Sequence, residues 1–341
     1  MTSSKYKNVI FAAKAFKKMK FKILLLFLLT LLLQSCMFSG TKTVANNEID
    51  MALRETMRVK NDSLLNALSN SDMKAFQKLG SPEFLKHLRA NIDNVVWGFR
   101  KGFLDTKFDV YNEYYNQHSQ TYTNTQLVNE KDSFTFMYKN TTKESYVSFL
   151  KVVYNGMDDY LVTTIHELID GKWKLTSVSM GTFGIFGKNA EEFFQMAKQK
   201  KEQGYLIDAF NYVNVAKSCL EPSGNKLKYD NEERILYYFK IWQDELRKKY
   251  PMPNTLNNIR TAPQVVLVDP IKNAEGLYPM FKYLTQIPLT DAATLAEENE
   301  LIKREVRKQY PDIDFSSDYV YYTAYNDVGS TNSRVFKEVN K

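Results

Sequence analysis

Residues 160–180 read YLVTTIHELIDGKWKLTSVSM. Two runs rich in β-branched and aromatic residues, Tyr160 to Ile169 and Lys172 to Met180, flank Asp170-Gly171. A two-residue type I′ turn needs positive φ at both central positions, and Asp-Gly supplies it cheaply, so the stretch predicts an antiparallel hairpin. Further runs of the same kind lie upstream: Phe108 to Tyr115, Thr121 to Asn129, Ser133 to Tyr138 and Ser145 to Tyr154. Residues 140–143 and Asn155-Gly156 with Asp158-Asp159 supply the turns between them. Before Gly102 the period is helical. Met51, Leu53, Met57, Leu64, Leu65 and Leu68 form one apolar stripe. Asn70-Ser71-Asp72 offers an N-cap to a short second helix, and Ser81-Pro82 starts a third that continues to about Gly102. Helices followed by consecutive antiparallel strands give an α+β fold with helices on one face of a curved sheet.

This order, closing on Asp170-Gly171-Lys172-Trp173-Lys174-Leu175, resembles the nuclear-transport-factor-like fold and sets a first domain at 49–187. The resemblance implies a cone whose open end can hold a small ligand, a catalytic site or nothing.

Residues 188–260 predict a helical hairpin, Glu191 to Gln203 and Leu206 to Leu220, followed by a helix from Asn231 to Lys249. Ala197, Gly204, Tyr205, Ala209 and Ala216 fall at spacings similar to a tetratricopeptide repeat, where small residues let antiparallel helices approach. Residues 261–341 predict a small C-terminal α+β domain. Its strands are Gln264 to Val268, Met280 to Leu289, Tyr319 to Tyr325 and Arg334 to Val339, with a helix from Ala292 to Gln309. Gly181, Gly184 and Gly187 read as an irregular linker between the first two domains.

The N-terminus has a different character. Lys20 and Lys22 precede Ile23 to Leu33, eleven residues that are apolar except for Thr30. At about 1.5 Å per residue such a helix is too short for a bilayer core of roughly 30 Å. A charged region, a short apolar run and a small residue before a cut site make an export signal. Leu33-Gln34-Ser35-Cys36 resembles a bacterial lipobox. That resemblance implies removal of 1–35 and diacylation of Cys36, with residues 36–48 a flexible tether. It places the protein in a bacterial cell envelope, anchored by lipid, in the outer membrane facing the periplasm. The long stretch before the apolar run suggests translation from Met19. Seven of the 46 basic residues, all lysines, precede Cys36, and the chain has 39 acidic residues, so the mature part carries no net formal charge. A sustained basic footprint for nucleic acid is therefore missing.

Three histidines and two cysteines bound the chemistry. Cys219, with Cys36 lipidated, has no disulfide partner and reads as a small buried hydrophobe. His87 and His166 lack a second ligand at metal spacing, and Glu167 beside His166 points to the opposite face of a strand. Asp158-Asp159 and Asp312 with Asp314 are too sparse for a calcium loop. No metal or cofactor site is expected. His118, at a strand end where a cone would open, is the candidate general base, with Tyr114 as its pocket neighbour. Other aromatics (Tyr111, Tyr115, Tyr122, Tyr138, Tyr154, Trp173) fit a sheet core better than a pocket lining. The chain shows neither a glycine-flanked nucleophile elbow nor a phosphate-cradling loop. The expectation is a non-enzymatic binding or scaffolding module with the membrane as partner and an envelope protein as a further candidate partner. The alternatives are an envelope hydrolase acting on a small or glycan substrate, and an immunity or inhibitor lipoprotein.

Overall fold

A computed structural model describes residues 40–88, 107–154, 156–317 and 319–340. The export segment 1–35, the lipidation candidate Cys36, Asn155 of one expected turn and the third helix beyond Leu88 lie outside the described residues. The fold is α+β, with helices packed on curled, mostly antiparallel sheets.

Strand β1 (Thr41–Ala45) precedes helices α1 (Met51–Ser69), α2 (Met73–Leu79) and α3 (Pro82–Leu88). Each helix start is capped by a side chain that accepts an otherwise orphaned amide: Asp50 from Leu53, Asp72 from Ala75 and Ser81 from Phe84. Strands β2 (Asp109–His118), β3 (Asn124–Asn129), β4 (Phe134–Lys139), β5 (Glu144–Tyr154), β6 (Asp158–Ile169), β7 (Lys172–Ile185) and β8 (Lys188–Asn189) follow. Asp158 and Asp159, expected in a turn, begin β6. Six strands form the main sheet in the order β1-β2-β5-β6-β7-β8. Asp170 and Gly171 join β6 to β7 with φ of 49° and 72°, the signs a type I′ turn requires.

Part of the expected tether is folded. Thr41 to Ala45 pair with His118 to Tyr114, and the Thr43 hydroxyl donates to Asn116 Oδ1 at 2.7 Å. Small polar residues hide such an edge strand because its stability comes from ladder bonds rather than from an apolar pattern.

The main sheet is covered on both faces. On one, Leu150, Val152, Val162 and Leu175 meet Leu64, Leu65 and Leu68 of α1 and Phe76 of α2. On the other, Tyr114, Val147, Phe149, Leu161 and Ile165 meet a second sheet and two helices, α4 (Ala190–Glu202) and α5 (Leu206–Ser218). Two strands the sequence did not announce, β9 (Pro222–Asn225) and β10 (Leu227–Tyr229), return the chain to the sheets, and β10 completes the order β10-β4-β3. Gly181 and Gly184, read as part of a linker, lie within β7 instead, and Gly187, at φ 73°, turns the chain into β8. A Cβ on Gly181 would stand 2.5 Å from the Glu221 carbonyl oxygen, so only glycine lets this crossing segment approach. Ala197, Ala209, Ala216 and Trp242 belong to the same core as Tyr114 and Phe149, so the helical hairpin and the first sheet share one apolar interior.

Helix α6 (Glu232–Lys249) leads to a five-stranded sheet of β11 (Asn254–Thr255), β12 (Gln264–Asn273), β13 (Gly276–Leu284), β14 (Tyr319–Tyr325) and β15 (Arg334–Val339), in that order. Helix α7 (Ala292–Gln309) is the crossover between parallel β13 and β14, and it buries Leu295, Ile302 and Val306 against Phe281, Tyr283 and Tyr322. The β12–β13 hairpin outruns its sequence estimate and forms an arm. Its Lys272 donates to both oxygens of buried Asp158, at 2.5 and 2.6 Å, and Leu277 packs on the first core.

Breaking that ion pair from one side strands a buried carboxylate. Lys272→Met should destabilise the protein by about 1–3 kcal/mol, and Lys272→Met with Asp158→Asn should recover most of the loss. Urea unfolding of both variants measures this; equal destabilisation of single and double variants would count against the clasp.

Candidate functional site

His118 ends β2 and is 5 % exposed. Its Nε2 lies 2.8 Å from Ser145 Oγ, and its Nδ1 lies 3.1 Å from Thr41 Oγ1 and 3.4 Å from Thr125 Oγ1. Ser145 Oγ also meets the Tyr138 hydroxyl at 2.6 Å. Burial lowers the imidazole pKa, which favours the neutral ring. A neutral imidazole against a serine hydroxyl is the base–nucleophile half of an acyl-transfer dyad. Here the other requirements are missing. Ser145 is fully buried, its oxygen is shared with Tyr138, and hydroxyls rather than a carboxylate stand at the far ring nitrogen. The carboxylate of Glu167 is occupied by the Thr141 amide at 2.5 Å, the Thr141 hydroxyl and the Thr142 amide. The network therefore stitches β1, β2, β5 and the second sheet together.

Tyr114 is not brought to His118. Four residues apart on one extended strand, they are separated by about 13 Å along the chain, and Tyr114 packs edge-on against Phe149 at 6.0 Å. The tyrosine that reaches the histidine network is Tyr138, which comes from β4 and carries no sequence signal linking it to His118. Tyr114 is paired with Val147 and His118 bonds Ser145 and Thr125, so both side chains face the second sheet. A cone pocket would instead lie on the face beneath α1–α3.

That helix-covered face has its own polar interior. Asn61 of α1 donates to Ser148 Oγ and accepts from Thr164 Oγ1, each at 3.1 Å. Buried Glu113 accepts from the Tyr146 hydroxyl at 2.6 Å and from Arg54. His166, 1 % exposed, pairs across the strands with Tyr146 and Leu175, and its Nδ1 has no hydrogen-bond partner. Burial, with the Lys60 charge as a smaller cause, pushes its pKa down to about 3. His87 is exposed and bonds the Glu83 carbonyl at 2.8 Å. It lines a cavity of about 550 Å³ with Ser81, Phe84, Thr141, Ile169 and Thr176.

The carboxylate pairs are ion-paired. Asp158 meets Lys272 and Asp159 meets Lys151, at 2.5 and 3.0 Å. Asp312 meets Lys249 and Asp314 meets Lys200, at 2.6 and 2.5 Å, and the Asp314 amide donates to buried Asp208 at 2.7 Å. Burial pushes Asp208 up to about 6. Among the described residues no group of three or more His, Cys, Asp or Glu is placed to hold a metal ion. Cys219 is fully buried, and burial pushes its thiol up to about 11, which keeps it unreactive. An apolar cavity of about 250 Å³ lies between α5, the end of α6 and β12. A bulge between Val265 and Leu267 sits beside it, and Arg247 is its only cationic lining residue. No protein-family model, curated protein or solved structure matches this chain.

His166 gives the fold a defined acid response. Its folded pKa lies below the ordinary value near 6.5, so the fold favours the neutral ring. That stability is complete above about pH 6.5 and is lost as pH falls towards 3, on the order of 5 kcal/mol in all. His166→Leu should flatten the decline in unfolding free energy between pH 6.5 and 4. Parallel pH profiles for the two proteins would show that His166 does not carry it.

Proposed function

We propose that this chain is a lipid-anchored protein of a bacterial cell envelope whose folded body binds or scaffolds rather than catalyses. The sequence Leu33-Gln34-Ser35-Cys36 behind a short apolar run carries the anchor reading. The body, on this reading, is a nuclear-transport-factor-like cone with a tetratricopeptide-like helical hairpin and a C-terminal α+β domain. Helices α1–α3 on one face of a curled antiparallel sheet support the first of these, and close-packed Ala197, Ala209 and Ala216 support the second. The non-enzymatic role rests on the state of the reactive groups. The His118–Ser145 contact is sealed from solvent, Cys219 is held as a buried thiol, and four of the candidate carboxylates are spent on lysines. The outer membrane, facing the periplasm, is the placement that fits a lipobox followed by Met37 and Phe38 without an acidic residue.

The hydrolase alternative is favoured by one observation, the 2.8 Å contact of His118 with Ser145. A fluorophosphonate probe separates the two readings. The native protein should remain unlabelled, and labelling abolished by Ser145→Ala would establish the enzyme. For the anchor, cells grown with an alkynyl fatty acid should incorporate it into the native chain and not into Cys36→Ala. Equal incorporation, or none in either, would remove the lipid from the account.

A further inference from the structure

Strand β1 changes what a lipid on Cys36 would mean for the body. The first described strand begins at Thr41, paired with His118 at the edge of the main sheet, so only residues 37–40 separate the lipidation candidate from a rigid ladder. Four residues reach at most about 14 Å when fully extended. A folded body of roughly 300 residues has a radius of gyration of roughly 19 Å. The tether is shorter than the body is wide, so the end of the sheet at which β1 starts is the end that meets the bilayer.

Strand register identifies what that end carries. His118 adjoins Lys143 through a backbone bond, Ser145 pairs with Glu167, and Ile169 pairs with Lys172. The segment 119–123, the turn 140–143 and the turn at Asp170-Gly171 therefore lie at the same end of the sheet as Thr41. Buried Asn140 fixes the first two as one platform. Its side chain accepts from the Thr123 amide and hydroxyl, at 2.9 and 2.8 Å, and donates to the Gln120 and Thr142 carbonyls, at 2.9 and 2.8 Å. On that platform Tyr122 is held at φ 61° and is 62 % exposed. A bulky residue in the left-handed region is strained, and such strain persists where the surroundings impose it. The Tyr122 amide bonds the Asn140 carbonyl at 2.8 Å, so the platform holds the ring outward. Lys139 Nζ lies 5.8 Å from the ring centroid. Lys42, Lys143 and Lys172 are exposed at the same end, against Asp170, an exposed Glu83 that shares a cavity with Thr141 and Ile169, and a Glu144 already bonded by the Tyr115 hydroxyl. An outward tyrosine with lysines around it is the chemistry of a headgroup layer: the ring sits at the interface and the ammonium groups meet phosphates.

We propose that this platform, with Tyr122 at its centre and Lys42, Lys139 and Lys143 around it, is a phospholipid-facing surface that docks the body with this end of the sheet against the membrane. The inference rests on the lipid-anchor reading and adds an orientation to it. The full native chain, reconstituted in vesicles of phosphatidylethanolamine and phosphatidylglycerol, tests it. Tyr122→Cys and Glu130→Cys each carry a fluorescent label, and headgroup-nitroxide lipid is the quencher. Glu130 is exposed in the turn between β3 and β4, at the opposite end of the strands, and buried Cys219 takes no label. Quenching should be several-fold stronger at 122 than at 130. Changing Lys42, Lys139 and Lys143 to Glu should weaken it while the protein still floats with the vesicles. Equal quenching at both positions in floating protein overturns the orientation and leaves the anchor standing. Protein that does not float removes both. A label at 122 that is dry only in native envelopes, and not in pure lipid, would assign the surface to a protein and overturn the proposal.

Discussion

Strands β5 and β6 exclude water from both of their faces. From Ser145 to Leu150 and from Leu161 to Glu167 every residue is buried, so side chains pointing either way are taken out of solvent. An antiparallel sheet in a small domain normally leaves one face wet and shows an alternating pattern. Here α1 and α2 cover one face, and the β3–β4–β10 sheet with α4 and α5 covers the other. Apart from His166, whose Nδ1 is left without a partner, the polar residues named here find partners inside the protein, because an unpaired buried polar group costs more than a hydrogen bond returns. Ser145 finds His118 and Tyr138, Ser148 and Thr164 find Asn61, and Glu167 finds the 140–143 turn. The same constraint that makes these groups look like a site also denies a substrate access to them.

The sequence made the element types legible and the layers illegible. Asp170-Gly171, Ser81-Pro82 and the stripe from Met57 to Leu68 report local preferences, and the local structure follows them. Strand β1 has no signature in the sequence because Thr-Lys-Thr-Val-Ala has no clear apolar period, and what holds it is a ladder with residues about seventy to eighty positions away. Strands β9 and β10 escaped because Pro222 and Gly224 look like punctuation, although the close crossing at Gly181 was marked by its glycine. The reach of the β12–β13 arm was hidden by Pro270 and Pro279, which face each other in register within the hairpin.

Candidate chemistry was legible only at the level of residue type. His118 was singled out by its place near a strand end, and the structure does surround it with polar groups. Its partners Ser145, Thr41 and Thr125 lie on three other strands, a convergence that spacing along the chain does not encode. Likewise Asp158, Asp312 and Asp314 show no ligand pattern because their partners are lysines brought from distant elements, and their work is to fasten the arm and the C-terminal sheet to the rest, while Asp159 pairs with Lys151 on the adjacent strand.

Native-state hydrogen exchange of the backbone amides tests the doubly covered sheet most directly. Amides of β5 and β6 should exchange only through global unfolding, at one shared protection level, while those of the edge strands β3 and β15 exchange much faster. Exchange in β5 and β6 as fast as in those edges would mean that one face is open to water. The buried networks would then be accessible, and the account of an inert, anchored body would fail.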